Sequence, residues 1–272
     1  MILTENVKDY CLKRRTAIKE AVAAYQLTLA VLQAGNAGTA ELNQLKEECE
    51  KNGINFEWYY YEEDISTAEL RLEIIDLHEH VDGIMVHKPL PKHINNEVIK
   101  IAIAPEKDIN GANPIGRHSP SMVRGIIDYL TYCGFPFEGA HVVIFSKSED
   151  FGKPLAEQVS DLGATVTLGD TTTRNIWEFI ETADLIISAT GKRGFLNCYA
   201  IHVPIIDVCN DCINTEHRNI LYANEVAELQ RIALLDNLIE DKFVPCKSAD
   251  RQCNIFCHRY AECALEGTWR PE

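Results

Sequence analysis

Gly83-Ile84-Met85-Val86-His87-Lys88-Pro89-Leu90-Pro91-Lys92-His93-Ile94-Asn95 runs from an apolar tetrapeptide into a proline-stiffened ledge. The run Gly83–Val86 reads as a buried strand. Proline fixes its own φ and drives the preceding residue out of the helical region, so Pro89 and Pro91 force an extended exit. A rigid loop at the carboxyl end of a parallel strand is where open α/β sheets place their ligands. The same residues also fit a plain strand-to-helix connection, so the surrounding chain has to decide.

Upstream, residues 27–33 and 54–60 read as strands. Between them, 40–52 and 66–79 carry helical spacing, with Leu42, Leu45 and Cys49 on one stripe and Leu70, Ile74 and Leu77 on the other. Strand–helix–strand alternation implies a parallel sheet with right-handed crossovers. The pattern restarts after residue 120. A helix over 123–133 leads to strand 140–146, helix 153–162, strand 164–168, helix 175–182, and strands 184–189 and 203–208. Residues 252–265 have helical character again. The stretch 115–122 has Gly, Ser and Pro without apolar periodicity and reads as a linker.

The 272 residues suffice for two domains with proper cores, and 46% hydrophobic with 25% charged residues is a globular composition. No run of about eighteen apolar residues exists, so no membrane span is expected. The first residues lack the basic start and apolar centre of a signal peptide, which points to the cytoplasm. A net charge of −15 argues against nucleic-acid binding, which relies on Lys and Arg to neutralise phosphates. The ten cysteines, in a reducing compartment, read as thiols or metal ligands before disulfides.

After the apolar strand 140–145 comes Ser146-Lys147-Ser148-Glu149-Asp150-Phe151-Gly152-Lys153-Pro154 and then a helix. Such a unit aims backbone N–H groups and the positive end of a helix at a phosphate. The Gly-x-Gly-x-x-Gly fingerprint is absent, so these residues equally fit an ordinary strand-to-helix turn. Asp170 ends the next strand, where an acid would bond a ribose hydroxyl pair, while Lys147 would attract a 2′-phosphate. NAD and NADP both stay open. Farther on, Thr190, Gly191 and Lys192 lie in a glycine loop that ends another strand, a common place for backbone to approach a ligand.

Four motifs occur in order: Pro-Leu-Pro-x-x-Ile-Asn over 89–95, Glu-Lys-Asp-x-x-Gly over 106–111, Ser-x-x-x-Gly-x-Pro over 148–154, and Ala-x-Gly-Lys-x-Gly-Phe over 189–195. In these, and over nearly its whole length, the chain resembles the bifunctional methylenetetrahydrofolate dehydrogenase/cyclohydrolase family. The resemblance implies a two-domain α/β fold with parallel sheets. Residues 1–122 plus 251–272 would form the substrate side and 123–250 a Rossmann-type domain for NAD or NADP. It further implies a folate-type substrate, a role in one-carbon metabolism and a homodimer.

The resemblance also marks departures. The family's cyclohydrolase lysine falls at Leu45, and its tyrosine at Glu41. His87 takes the place of a glutamine, and Asn110 that of an acid that holds the pterin ring. The family's glycine-rich loop near the C-terminus is replaced after Val244-Pro245 by Cys246-Lys247-Ser248. An amide offers one acceptor and one donor where a carboxylate offers two acceptors. Cyclohydrolysis needs acid–base help at the reacting carbon, whereas in hydride transfer the cofactor carries the chemistry and the protein positions two rings. The expected function is therefore a dehydrogenase without cyclohydrolase activity, with His87 and Asn110 as candidate catalytic groups. A non-catalytic relative that binds a nucleotide or partner is the alternative. A third reading is a metal or redox protein on the same scaffold, with zinc or iron held by Cys209, Cys212, Cys246 and Cys253. Cys209 and Cys212 have the two-residue gap of a metal-gripping pair, and Cys257 and His258 lie near Cys253.

Overall fold

The apolar runs become strands of two parallel sheets. The computed structural model describes residues 3–23, 25–36, 38–197, 201–213 and 219–240. The first half contains α1 (Leu3–Val22), β1 (Thr28–Ala34), α2 (Ala40–Asn52), β2 (Asn55–Tyr61), α3 (Thr67–Asp76), β3 (Gly83–Val86) and α4 (Asn96–Ala102). Then follow α5 (Ser121–Tyr132), β4 (His141–Phe145), α6 (Gly152–Asp161), β5 (Thr165–Gly169), α7 (Ile176–Ile180) and β6 (Leu185–Ser188). The short strands β7 (Leu196–Asn197), β8 (Ile205–Asp207), β9 (Cys212–Ile213) and β10 (Ile220–Leu221) precede α8 (Ala223–Glu240).

The first sheet has the order β2-β1-β3 and the second β10-β8-β6-β4-β5, parallel throughout. From Leu29 onward β1 is buried at every position, as a parallel strand covered on both faces should be. Next to β3, Ile84 bridges Asp108 and its N–H donates to the Lys107 carbonyl at 2.8 Å, which carries the Glu106–Gly111 motif to the sheet's edge. Local chemistry sets the helix starts. Ser66 and Glu69 form a reciprocal capping box at α3, and the Asn95 carboxamide accepts from the N–H groups of Glu97 and Val98 at α4.

Several boundaries differ from the sequence reading. The 66–79 segment leaves the α-helix after Asp76 and ends as a 3₁₀ turn over Leu77–Glu79, while 175–182 contracts to Ile176–Ile180. α5 starts at Ser121, inside the stretch taken as linker. Helices α1, α4 and α8 were not read at all. The expected helix 252–265 lies outside the described residues. Among those, no helix is long and apolar enough to cross a membrane.

α8 joins the two halves. Its Asp236 takes both Nε and Nη2 of Arg14 from α1, its Glu228 pairs with Arg15 at 2.8 Å, and Asn237 donates to the Ile109 carbonyl at 2.7 Å. From the nucleotide side, Arg124 on α5 reaches Glu240 at 2.5 Å and also bonds Asn237. The backbones of α5 and α8 come close because Gly125 has no side chain: a Cβ there would stand 2.7 Å from the Leu229 carbonyl oxygen.

Candidate functional site

The ledge after β3 and the turn after β4 flank a cleft of about 770 Å³ between the halves. Its walls include Lys88, Lys100, Asn110, Asp150, Phe151 and Gln158. On the substrate side, His87 is 4% exposed and its Nε2 donates to the Gly38 carbonyl at 3.0 Å. A carbonyl only accepts, so this bond fixes the proton on Nε2 and ties the ring to the loop after β1. The Lys88–Pro89 peptide that follows is cis. Asn110 is also engaged, since its Oδ1 accepts from the Ser121 hydroxyl at 2.6 Å. Beside it Asp108 is fully buried. One oxygen accepts from the Asn113 N–H at 2.5 Å, the other has no partner, and burial pushes the carboxyl up.

Leu45 is 3% exposed and belongs to the core formed with α1 and α8, while Glu41 faces solvent. The apolar-stripe reading of Leu45 holds. Within the same wall, Glu48 takes both Arg15 nitrogens at 2.6 and 2.8 Å, and this ion pair keeps its carboxyl below the usual range despite burial.

On the nucleotide side, the turn after β4 is tight. Ser146 is buried, its hydroxyl lies 3.1 Å from that of Ser148, and Ser148 Oγ accepts from the Gly152 N–H at 3.1 Å. The Lys153 N–H donates to the Ser148 carbonyl at 3.0 Å, and Pro154 has no N–H. Of the N–H groups expected to be free for a phosphate, those of Gly152 and Lys153 are already bonded within the loop. Glu149 and Asp150 add negative charge there, and Glu149 is paired with Lys153. Lys147 and Asp170, read as competing ribose and phosphate groups, meet each other at 3.1 Å. Hydrogen bonds from Thr172, together with Lys147, hold the Asp170 carboxyl far below the usual range.

The glycine loop after β6 hangs on one residue that sequence reasoning missed. Asp211 is fully buried. Its Oδ2 accepts from the Ser188 hydroxyl at 2.5 Å and the Thr190 N–H at 2.7 Å, and its carbonyl accepts from Gly194 at 2.9 Å. Asp207 in turn accepts from the backbone N–H groups of Asp211 and Cys212 at 2.8 and 3.0 Å. Two acids four apart at the end of a strand were the available signal. Gly191 and Lys192 themselves are exposed, and Gly191 has φ +69°, which suits glycine. Replacing Asp211 by Ala should strip those donors and cost about 1–3 kcal/mol. The check is a lower urea midpoint together with faster amide exchange at Thr190. An unchanged exchange rate at Thr190 would show that the loop stands without Asp211.

Of the cysteine pair, Cys209 is exposed, whereas Cys212 is buried in β9. Packing around its sulfur, with Asp211 and Asp207 nearby, pushes the Cys209 thiol up. Among the described residues no group of three His, Cys, Asp or Glu side chains is placed to hold a metal ion. Cys246, Cys253, Cys257 and His258 lie outside them.

Comparison with known proteins adds the lineage. Residues 3–110 match the tetrahydrofolate dehydrogenase/cyclohydrolase catalytic domain, and residues 120–231 match the NAD(P)-binding domain of the same family. The bifunctional protein FolD of Macrococcus caseolyticus is 32% identical over 216 residues, covering 74% of this chain and 77% of that protein. The one from Cupriavidus necator is 35% identical over 198 residues, or 66% of this chain and 69% of that protein. The structure of the bifunctional enzyme FolD from Campylobacter jejuni superposes with a TM-score of 0.79 at 24% identity, over 89% of this chain and 98% of that one. The 5,10-methylenetetrahydrofolate dehydrogenase of the silkworm, Bombyx mori, gives 0.78 at 24%, over 89% and 97%. At those identities the structures speak for the fold, and the sequence matches speak for the lineage. The chain belongs to the tetrahydrofolate dehydrogenase/cyclohydrolase family.

Proposed function

We propose that the protein is an NAD(P)-dependent methylenetetrahydrofolate dehydrogenase that has lost the cyclohydrolase step. The observation that carries this reading is the asymmetry between the two halves of the chain. The nucleotide half keeps the strand-to-helix turn at 146–154 and the braced glycine loop at 188–196 on adjacent strands β4 and β6. On the substrate half, the place of the family's lysine is filled by the core residue Leu45. A bound nicotinamide cofactor would supply the hydride acceptor. The chain's own residues would position the substrate and exclude water, a task that needs no proton carrier at Leu45. The division at 122/123, a homodimeric assembly and a folate-type substrate belong to the same proposal. Asp170 and Lys147, paired at 3.1 Å, offer one group suited to each cofactor.

A second reading, a relative that binds a nucleotide without turnover, draws on the acidic residues Glu149 and Asp150 in the turn after β4. Mixing the purified protein with methylenetetrahydrofolate and either NAD or NADP distinguishes the two. Growth of the reduced-nicotinamide absorbance is the expected result. No reduction with either cofactor, alongside a rise in thermal midpoint with one of them, would replace the first reading by the second.

A further inference from the structure

Two lysines of the substrate half reach across the cleft to one carboxylate of the nucleotide half. Lys88 stands on the ledge after β3 and bonds Asp150 Oδ2; Lys100, on α4, places its Nζ 2.8 Å from Asp150 Oδ1. Each lysine takes one oxygen. The Lys100 side chain is only 13% exposed, while those of Lys88 and Asp150 are 40% and 50% exposed. In a chain of net charge −15, two ammonium groups at one half-buried point are a marked local exception. Both lysines line the large cleft, and both also line a small pocket of about 20 Å³, with Asp108 and Asn110.

We propose that Lys88 and Lys100 form a seat for a carboxylate group of a small-molecule ligand in the cleft, with Asp150 as its built-in occupant when no ligand is bound. The present occupant is itself a carboxylate held with one oxygen per lysine, so the spacing of the seat already suits that group. The lysines sit on braced elements: Lys88 lies between buried His87 and the proline ledge, and α4 is capped by Asn95. Asp150 sits on an exposed turn and can swing away without opening the core. Glu97, 3.0 Å from Lys100, offsets one charge, and Asp108 is the other acid lining the pocket. Ligand and internal carboxylate thus compete for one place, and the apparent affinity is lowered by the fraction of time Asp150 holds it.

The inference deepens the reading of the cleft as a substrate site, but its test involves neither cofactor nor turnover. Glutarate and inorganic pyrophosphate are titrated calorimetrically, at low ionic strength, into the wild-type protein, Asp150→Asn, and Asp150→Asn combined with Lys88→Gln or Lys100→Gln. The expected result is glutarate binding roughly tenfold tighter in Asp150→Asn than in wild type, lost again on removal of either lysine. Wild-type affinity in Asp150→Asn, or binding that survives loss of either lysine, would reduce the cluster to a plain tie between domains. Pyrophosphate binding in place of glutarate would overturn the carboxylate assignment. Lys88→Gln, at an exposed position, keeps the test valid should the half-buried Lys100 variant fail to fold. Failure here leaves the dehydrogenase assay untouched, and the reverse also holds.

Discussion

Methenyltetrahydrofolate mixed with this protein should hydrolyse at the rate it shows in buffer alone. Loss of a positioned acid–base group removes about 10²–10⁴-fold in rate. Here the place of the family's lysine holds a leucine that is 3% exposed, and Glu41 one turn earlier points to solvent. His87, the other candidate base, is buried and spends its Nε2 proton on the Gly38 carbonyl. Nor should Leu45→Lys restore the reaction, because an ammonium group would have to enter the core between α1, α2 and α8. The matching structural control is Leu45→Ala, expected to cost about 2–5 kcal/mol as a core truncation. Hydrolysis by the wild-type protein at the rates of bifunctional relatives would refute the assignment of Leu45. A silent Leu45→Ala would refute its place in the core.

Gly152→Val should weaken dinucleotide binding by about 100-fold, or roughly 2.7 kcal/mol. A Cβ at this position would overlap the Ser146 carbonyl, which belongs to the backbone of the turn and has nowhere to retreat. The turn would have to open, and Ser148 would lose the N–H it caps. The glycine is therefore a packing requirement as well as a binding one, and the variant should also unfold at lower temperature. Gly191→Ala is the contrast. Nothing lies within 4 Å of an added Cβ there, so only its left-handed φ of +69° is at stake, about 1–2 kcal/mol. Thermal shift with NAD and NADP reads both. If Gly152→Val keeps the ligand-induced shift of the wild type, the dinucleotide sits elsewhere.

The alternating architecture was legible because parallel strands buried on both faces are continuous apolar runs, as in Leu29–Leu32 and Val142–Phe145. α1 escaped because its stripe of Leu3, Val7, Tyr10, Cys11, Ile18 and Ala21 is broken by Arg14 and Arg15, whose acids lie on α2 and α8. Nothing local announces such partners. α8 escaped for the opposite reason. Covered on several sides, it is buried at every position from Ile232 to Ile239 and shows little amphipathic period. Of the site, the loops were legible as motifs. The Asp211 peg and the Lys88–Asp150–Lys100 cluster were not, since both depend on segments brought together only by the fold.

The position of α8 has a bearing on how the chain is made. Ribosomes deliver residues in order, and domains generally fold as they emerge. The first sheet can assemble early, with Arg15 already on Glu48, but Arg14 and the flank of α1 that packs on α8 meet their partners only once residues near 236 have been synthesised. The leading half must therefore wait, sticky and incompletely charged-matched, through translation of the trailing half. A late-arriving helix of this kind couples the maturation of both halves to one final docking event, and it makes the nascent chain a natural client for a chaperone during that interval.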